Sequence, residues 1–133
     1  NLKNFSAAQN VGDIKRRHVH IFIEEPELSL YPESQTALVD FLVSRCFHTQ
    51  KEYDMTLMMA THSPYIVNYL NLLIKRHDKG ENTTNKLAFE DMNVYEIIGG
   101  TATSLRIEGE HRIINASSLS EPISNIYSEY NAK

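Results

Sequence analysis

The sequence predicts an α/β fold in which parallel strands are joined by crossover helices. Two short apolar runs, residues 19–23 and 55–60, have the length and composition of buried strands. Each run is followed by a segment in which apolar residues recur with a helical period. Because strand–helix–strand units usually form parallel pairs with a right-handed crossover, we expect the two strands to lie in one sheet.

Composition is that of an ordinary globular protein of about one domain. The 133 residues are 41% hydrophobic and 23% charged, with a net charge of -4. No basic field extends over the chain, so nucleic-acid binding has only a short run, Lys15 to Arg17, to support it. Apolar runs are too short to span a bilayer, and Cys46 is the single cysteine, so we expect a cytoplasmic protein.

The first half of the chain divides into clear elements. Pro26 ends the first strand, and Pro32 begins an amphipathic helix that reaches about His48. The second apolar run stops at Thr61, and a second helix follows over residues 65–76.

The second half of the chain is less regular. Residues 77–91 are polar and predict a surface loop, and residues 93–98 predict a strand. A Gly-Gly pair at 99–100 indicates a turn before a returning strand at 103–108. Ser120 is the expected N-cap of a last helix. The expected apolar face of this helix comprises Ile123, Ile126, Tyr127 and Tyr130, and the two tyrosines are expected to be partly buried.

Two acids, Glu24 and Glu25, end the first predicted strand. They are therefore expected at the carboxyl edge of the sheet, where open α/β sheets bind ligands. Adjacent side chains of a strand point in opposite directions, so one acid can face a metal ion while the other orients a water. Phosphoryl transfer needs both roles. The alternative is a strand that runs into an acidic surface turn.

Thr61, His62 and Ser63 end the second predicted strand and should reach the same edge. A histidine there can donate a hydrogen bond to a γ-phosphate or orient a water. The alternative is a histidine whose bonds are satisfied within a turn. An acid pair at the end of the preceding strand favours the functional interpretation.

At this point the sequence resembles a known group of ATPases. Residues 21–32 read Ile-Phe-Ile-Glu-Glu-Pro-Glu-Leu-Ser-Leu-Tyr-Pro, which is similar to the Walker B and D-loop segment of ABC-type ATPases. The form is most similar to the overcoming-lysogenization-defect (OLD) family and its AAA-type relatives, which are grouped with SMC and RecF-like heads. Residues 60–64, Ala-Thr-His-Ser-Pro, resemble the switch-histidine loop of the same group. Order and separation of the two motifs are those of the family.

The resemblance implies a role for each matching residue. Glu24 corresponds to the Walker B acid that serves Mg²⁺, and Glu25 to the glutamate that polarises the attacking water. His62 corresponds to the switch histidine near the γ-phosphate. Ser29, in the D-loop of residues 28–31, and Thr61 join Glu24 as expected nucleotide-binding positions. In the family the D-loop lies where two heads meet, so a homodimer of heads is expected.

One family element is missing from the sequence. No Gly-x-x-x-x-Gly-Lys-Ser/Thr loop occurs in it. Residues 1–133 are therefore expected to be the C-terminal half of a P-loop NTPase-like domain that pairs with a Walker A half. Residues 5–9 are only distantly similar to the ABC signature motif, since Ala8 replaces its glycine.

The implied function is ATP hydrolysis with Mg²⁺, in a head that works in DNA transactions or phage defence. The isolated chain is expected to be inactive. The alternative is a non-hydrolysing regulatory or protein-interaction domain that retains a Walker B-like segment. A weaker alternative, a Toprim-type nuclease fragment, rests on residues 107–110, for which a strand and turn is the preferred interpretation. His18 and His20 alternate on one strand without a third ligand, which favours structural packing over metal binding.

Overall fold

The described part of the chain begins with a strand–helix–strand–helix unit. We describe it from a computed structural model, which covers residues 17–47 and 53–133. The elements in order are β1 (Arg17–Glu24), α1 (Pro32–Phe47), β2 (Tyr53–Ala60) and α2 (Pro64–Asp78). β1 and β2 pair in parallel from end to end. This confirms the prediction of an α/β unit with neighbouring parallel strands.

One face of the two strands packs on the helices, and the other face is open. The first core cluster joins α1 and α2, and Met59 of β2 packs against it. Its buried members are Val39, Val43, Ile66, Leu70 and Leu73. On the opposite face Phe22 and Met58 lie side by side in register, and both are 63% exposed. Parallel sheets are usually covered on both faces. In the described part of this chain, one face of the sheet is exposed.

Helix α2 begins as the sequence predicts. Ser63 is its N-cap, with a side-chain oxygen that accepts from the Ile66 amide at 3.3 Å, and Pro64 takes the first helical position. This combination is favoured because the cap satisfies the Ile66 amide, which has no partner within the helix. Pro64 has no backbone N–H of its own, so it leaves no donor unsatisfied at the first helical position. The predicted helix 32–48 is observed as Pro32–Phe47, and residue 48 lies outside the described part of the chain.

The predicted surface loop at residues 77–91 is only partly correct. Helix α2 continues to Asp78, and Phe89–Asp91 form a short 3₁₀ helix. Phe89 is 1% exposed and belongs to a second core cluster with Val67 and Ile74. Arg106, which comes later in the chain, stacks its guanidinium on the Phe89 ring, 4.3 Å from the ring centroid. The polar segment therefore contains a buried aromatic ring.

Two short hairpins follow. β3 (Tyr95–Ile98) and β4 (Thr101–Ser104) are antiparallel around Gly99 and Gly100, and both glycines have positive φ. The predicted turn is therefore confirmed, because two successive left-handed residues favour glycine. β5 (Arg106–Ile107) pairs with β6 (Ile113–Ile114). Asn71 of α2 bonds to both backbone groups of Ile114, at 2.8 and 2.7 Å, and so attaches β6 to the helix.

The last helix, α3 (Ser117–Asn131), starts earlier than predicted. Ser120 lies inside it and is not its N-cap, and Pro122 also lies within the helix. The start is set by packing, because Ala116 is buried in the second cluster and Leu119 packs against that cluster. None of the residues of α3 is buried. Tyr127 and Tyr130 are 65% and 77% exposed, so the prediction that these two tyrosines are partly buried is wrong.

Candidate functional site

The carboxyl ends of β1 and β2 lie side by side. Glu24, the last residue of β1, is in register with Ala60, the last residue of β2. The Glu25 amide donates to the Ala60 carbonyl at 2.8 Å and continues the pairing by one bond. Thr61 and His62 leave the sheet at the same edge. The structure therefore confirms that the acid pair and the histidine segment are neighbours, as the sequence predicts.

Glu25 does not continue the strand. β1 ends at Glu24, and Glu25 has a φ of 46°, in the left-handed region. The alternation of side chains along the strand therefore includes Glu24 and does not set the direction of the Glu25 side chain. Such a backbone costs a non-glycine residue on the order of 1 kcal/mol or more, and residues held this way are often found at functional sites. Both acids are exposed.

The residues after Glu25 form two consecutive turns. The Leu28 amide donates to the Glu25 carbonyl at 3.0 Å, and the Leu30 amide donates to the Glu27 carbonyl at 2.9 Å. Ser29 has a φ of 62° and is exposed in the second turn. Together with Tyr31, which is 80% exposed, these turns form a projecting tip beside the sheet edge. We call residues 25–31 the acid loop and residues 61–63 the histidine loop.

Glu27 connects the two loops, although the sequence pattern predicts no role for it. One of its carboxylate oxygens accepts from the Thr61 hydroxyl at 2.7 Å. The other accepts from the His62 backbone amide at 2.7 Å. The Thr61 oxygen in turn accepts from the Ser63 amide at 3.0 Å. Since the hydroxyl proton of Thr61 points to Glu27, Thr61 acts here as a link between the loops, and its contact with a nucleotide stays a prediction.

A second connection lies beneath the first and is buried. The Ser63 hydroxyl donates to the side-chain oxygen of Gln35 at 2.5 Å, and the Gln35 amide group donates to the Leu30 carbonyl at 3.0 Å. Ser63 is 5% exposed and Gln35 is 8% exposed. Buried polar groups are tolerated when their hydrogen bonds are satisfied, as they are here. Both loops are therefore attached to the first turn of α1.

The hydrogen bonds also affect the acidity of Glu27. Partial burial acts to raise its pKa, but the hydrogen bonds that the carboxylate accepts, first from the His62 amide and then from the Thr61 hydroxyl, act to lower it, and the net pKa lies below the usual value of a glutamate. Glu27 is therefore charged at neutral pH and holds its two donors by charge-assisted bonds.

The remaining candidates contribute less. His18 and His20 are exposed on the open sheet face, where their stacked rings have centroids 6.5 Å apart and the His20 ring is hydrogen-bonded to the Thr56 hydroxyl at 3.1 Å. Within residues 17–47 and 53–133, no three His, Cys, Asp or Glu side chains come together as a metal site. At residues 107–110, β5 ends at Ile107 and Gly109 has a φ of 120°, in agreement with a strand and turn. The signature-like residues 5–9, Lys15 and Arg16 lie outside the described part of the chain.

We find no helix in the described residues with the length and apolarity needed to cross a membrane.

Part of the chain matches a known protein family. A sequence model of the AAA ATPase domain matches residues 1–67. The matched region contains β1, α1, β2 and both loops described above. Comparisons with curated proteins and with solved structures gave no match. The family match covers 67 of the 133 residues, and on this basis the chain belongs to the AAA ATPase domain family.

Proposed function

We propose that this chain supplies the acidic and histidine side of an ATP-hydrolysing site in an ABC-type head of the OLD-like kind. The observation that carries the proposal is the register of β1 and β2, with Glu24 opposite Ala60 and the Glu25 amide bonded to the Ala60 carbonyl. This register brings the acids and His62 to one edge of a parallel sheet. That edge is where α/β folds bind their ligands.

Each residue has a distinct part in the proposal. Glu25 leaves the strand in a left-handed turn and presents an exposed carboxylate that orients the attacking water. His62 is exposed in the neighbouring loop and donates a hydrogen bond to the γ-phosphate. Ser29 and Thr61 are the proposed further contacts of the nucleotide. Catalysis of phosphoryl transfer consists mainly of positioning and charge neutralisation, and these groups supply positioning.

Glu24 is the residue that fits the Mg²⁺ ion of an ATPase site. Mg²⁺ in nucleotide sites takes one or two carboxylates and completes its shell with water and phosphate oxygens. Glu24 matches this donor set, because it is an exposed carboxylate at the strand end. When bound with ATP, the ion supplies positive charge that offsets the charge of the phosphates.

The wider role is part of the proposal on the strength of the motif resemblance alone. It comprises a P-loop NTPase-like core completed by a Walker A half, a homodimer of heads, and work in DNA transactions or phage defence.

The decisive experiment is the Glu25→Gln substitution in the full-length protein. It keeps the shape of the side chain and removes the carboxylate that orients water. We expect ATP binding to persist and turnover to fall by a factor on the order of 10² or more. The matched control is Glu121→Gln, which changes an exposed glutamate of α3 and should leave turnover as it is.

Two results would contradict the proposal. Wild-type turnover by Glu25→Gln would show that this carboxylate is not the catalytic acid. Binding of ATP with no hydrolysis by the wild-type protein would instead favour the alternative of a non-hydrolysing regulatory domain.

A further inference from the structure

Glu27 makes contacts that the proposed function leaves unexplained. Its two carboxylate oxygens contact partners 34 and 35 residues away, Thr61 and His62, each at 2.7 Å. A carboxylate on an exposed turn could be fully hydrated at little cost. Here both oxygens are instead used to bind the loop that contains the candidate histidine.

We propose that Glu27 is a positioning residue, which sets the place of the His62 side chain relative to Glu25 by holding the His62 backbone amide and the Thr61 hydroxyl. The inference rests on the proposed function and adds to it a residue that does not itself contact the reacting atoms. It acts through the backbone of His62.

The geometry supports positioning because the buried connection through Gln35 holds Ser63 and Leu30, whereas Glu27 holds Thr61 and His62. Glu25 is tied to β2 by one bond to the Ala60 carbonyl, and beyond Ala60 the backbone has left the strand. The Glu27 bonds are made to the next two residues, Thr61 and His62. They therefore act between the end of β2 and the N-cap of α2 at Ser63, where the chain has neither strand nor helix to support it.

The chemistry of the acceptor also matters. A charged carboxylate binds N–H and O–H donors more strongly than a neutral amide oxygen does. The two donors contact separate oxygens of Glu27, the Thr61 hydroxyl one and the His62 amide the other. Glutamine keeps an acceptor oxygen in only one of these two positions and puts an NH2 donor in the other. Alanine serves neither donor. We therefore expect Glu27→Ala to have a larger effect than Glu27→Gln.

The hydrogen bonds themselves can be tested on the 133-residue chain by NMR. The His62 amide should resonate at low field because it donates to a carboxylate, and Glu27→Gln should move this signal upfield and speed its hydrogen exchange about tenfold or more. The Ile114 amide is the matched control, because it donates to the Asn71 side-chain oxygen at the same distance of 2.7 Å in another part of the fold. Its signal should not change. An unchanged His62 signal in Glu27→Gln would overturn the inference.

The functional consequence is tested by turnover in the full-length protein. Glu27→Gln should lower kcat on the order of 10-fold to 100-fold, with the KM for ATP within about 3-fold of wild type, since a displaced group mainly affects the transition state. Thr61→Val should also lower kcat. Thr61→Ser keeps the hydroxyl and should retain the turnover of the wild type. The Glu27→Gln and Thr61→Val effects should be non-additive, because both changes act on the contact between Glu27 and Thr61.

The results separate this inference from the proposed function. If Glu25→Gln abolishes turnover while Glu27→Gln leaves kcat unchanged, the proposed function stands and the positioning role is wrong. If Glu25→Gln retains turnover while the His62 amide responds to Glu27→Gln, the proposed function is wrong. In that case the Glu27 bonds are structural only, and the positioning role falls with the function.

Discussion

Replacing Ser63 with alanine should destabilise the fold by about 2–4 kcal/mol. The change removes two interactions of one buried hydroxyl. The first is the N-cap of α2, where Ser63 accepts from the Ile66 amide at 3.3 Å, and loss of such a cap costs about 1 kcal/mol. The second is the bond to the Gln35 oxygen at 2.5 Å. Its loss leaves a buried acceptor without a partner, at about 1–3 kcal/mol.

Urea denaturation followed by circular dichroism measures this change in the free energy of unfolding. The midpoint should fall while the slope m stays constant, because the surface exposed on unfolding is unchanged. The matched control is Ser120→Ala. Ser120 is exposed and lies inside α3, so alanine there should change stability by less than about 0.5 kcal/mol. Equal costs for the two serines would refute both the cap at Ser63 and the placement of Ser120 within the helix.

Three further predictions follow from the core, from Glu27 and from the missing phosphate loop. Leu73 is fully buried and Leu72 is 44% exposed. Urea denaturation should therefore show that Leu73→Ala lowers the free energy of unfolding by about 2–5 kcal/mol and that Leu72→Ala lowers it by less. Similar losses for the two variants would contradict the described packing. The folded pKa of Glu27 is lowered, so the stability it contributes is complete above the pKa of an unfolded glutamate, about 4.3, and is lost as the pH falls through the folded pKa. The His62 amide signal should move over that acidic range, and a signal that is constant down to unfolding would argue against the bond. The isolated chain should neither bind Mg-ATP tightly nor hydrolyse it, because its sequence contains no P-loop; calorimetric titration that shows micromolar binding would require a phosphate cradle elsewhere.

The placement of the candidate site could be predicted because it depends on local pattern and simple topology. Residues 19–23 and 55–60 are short apolar runs, and each is followed by a helical pattern, so the parallel pairing of β1 and β2 follows from connection rules. Parallel strands present their carboxyl ends together, which brings Glu24 and His62 to one edge. Ser63 and Pro64 mark the start of α2 by their own capping chemistry, with no help from distant residues.

The role of Glu27 could not be predicted, because no spacing rule relates a carboxylate to donors 34 and 35 residues away. The sequence identifies Glu27 only as an acid in a turn, and its hydrogen-bond donors, Thr61 and His62, are known only from the tertiary structure. Gln35 is a similar case, since a glutamine in the first turn of a helix normally faces solvent and here links Ser63 to Leu30.

The sequence by itself determined the strand–helix unit, the family motifs and the edge at which the acids and the histidine emerge, since these features are set by residues close together in the chain. Tertiary structure alone decided which polar groups meet, how Phe89 enters the core and where α3 begins. Phe89 lies in a polar stretch, and its burial depends on Val67 and Ile74 of α2 and on the guanidinium of Arg106. Helix α3 begins at Ser117 because Ala116 is anchored in that same cluster, so packing overrides the capping preference of Ser120.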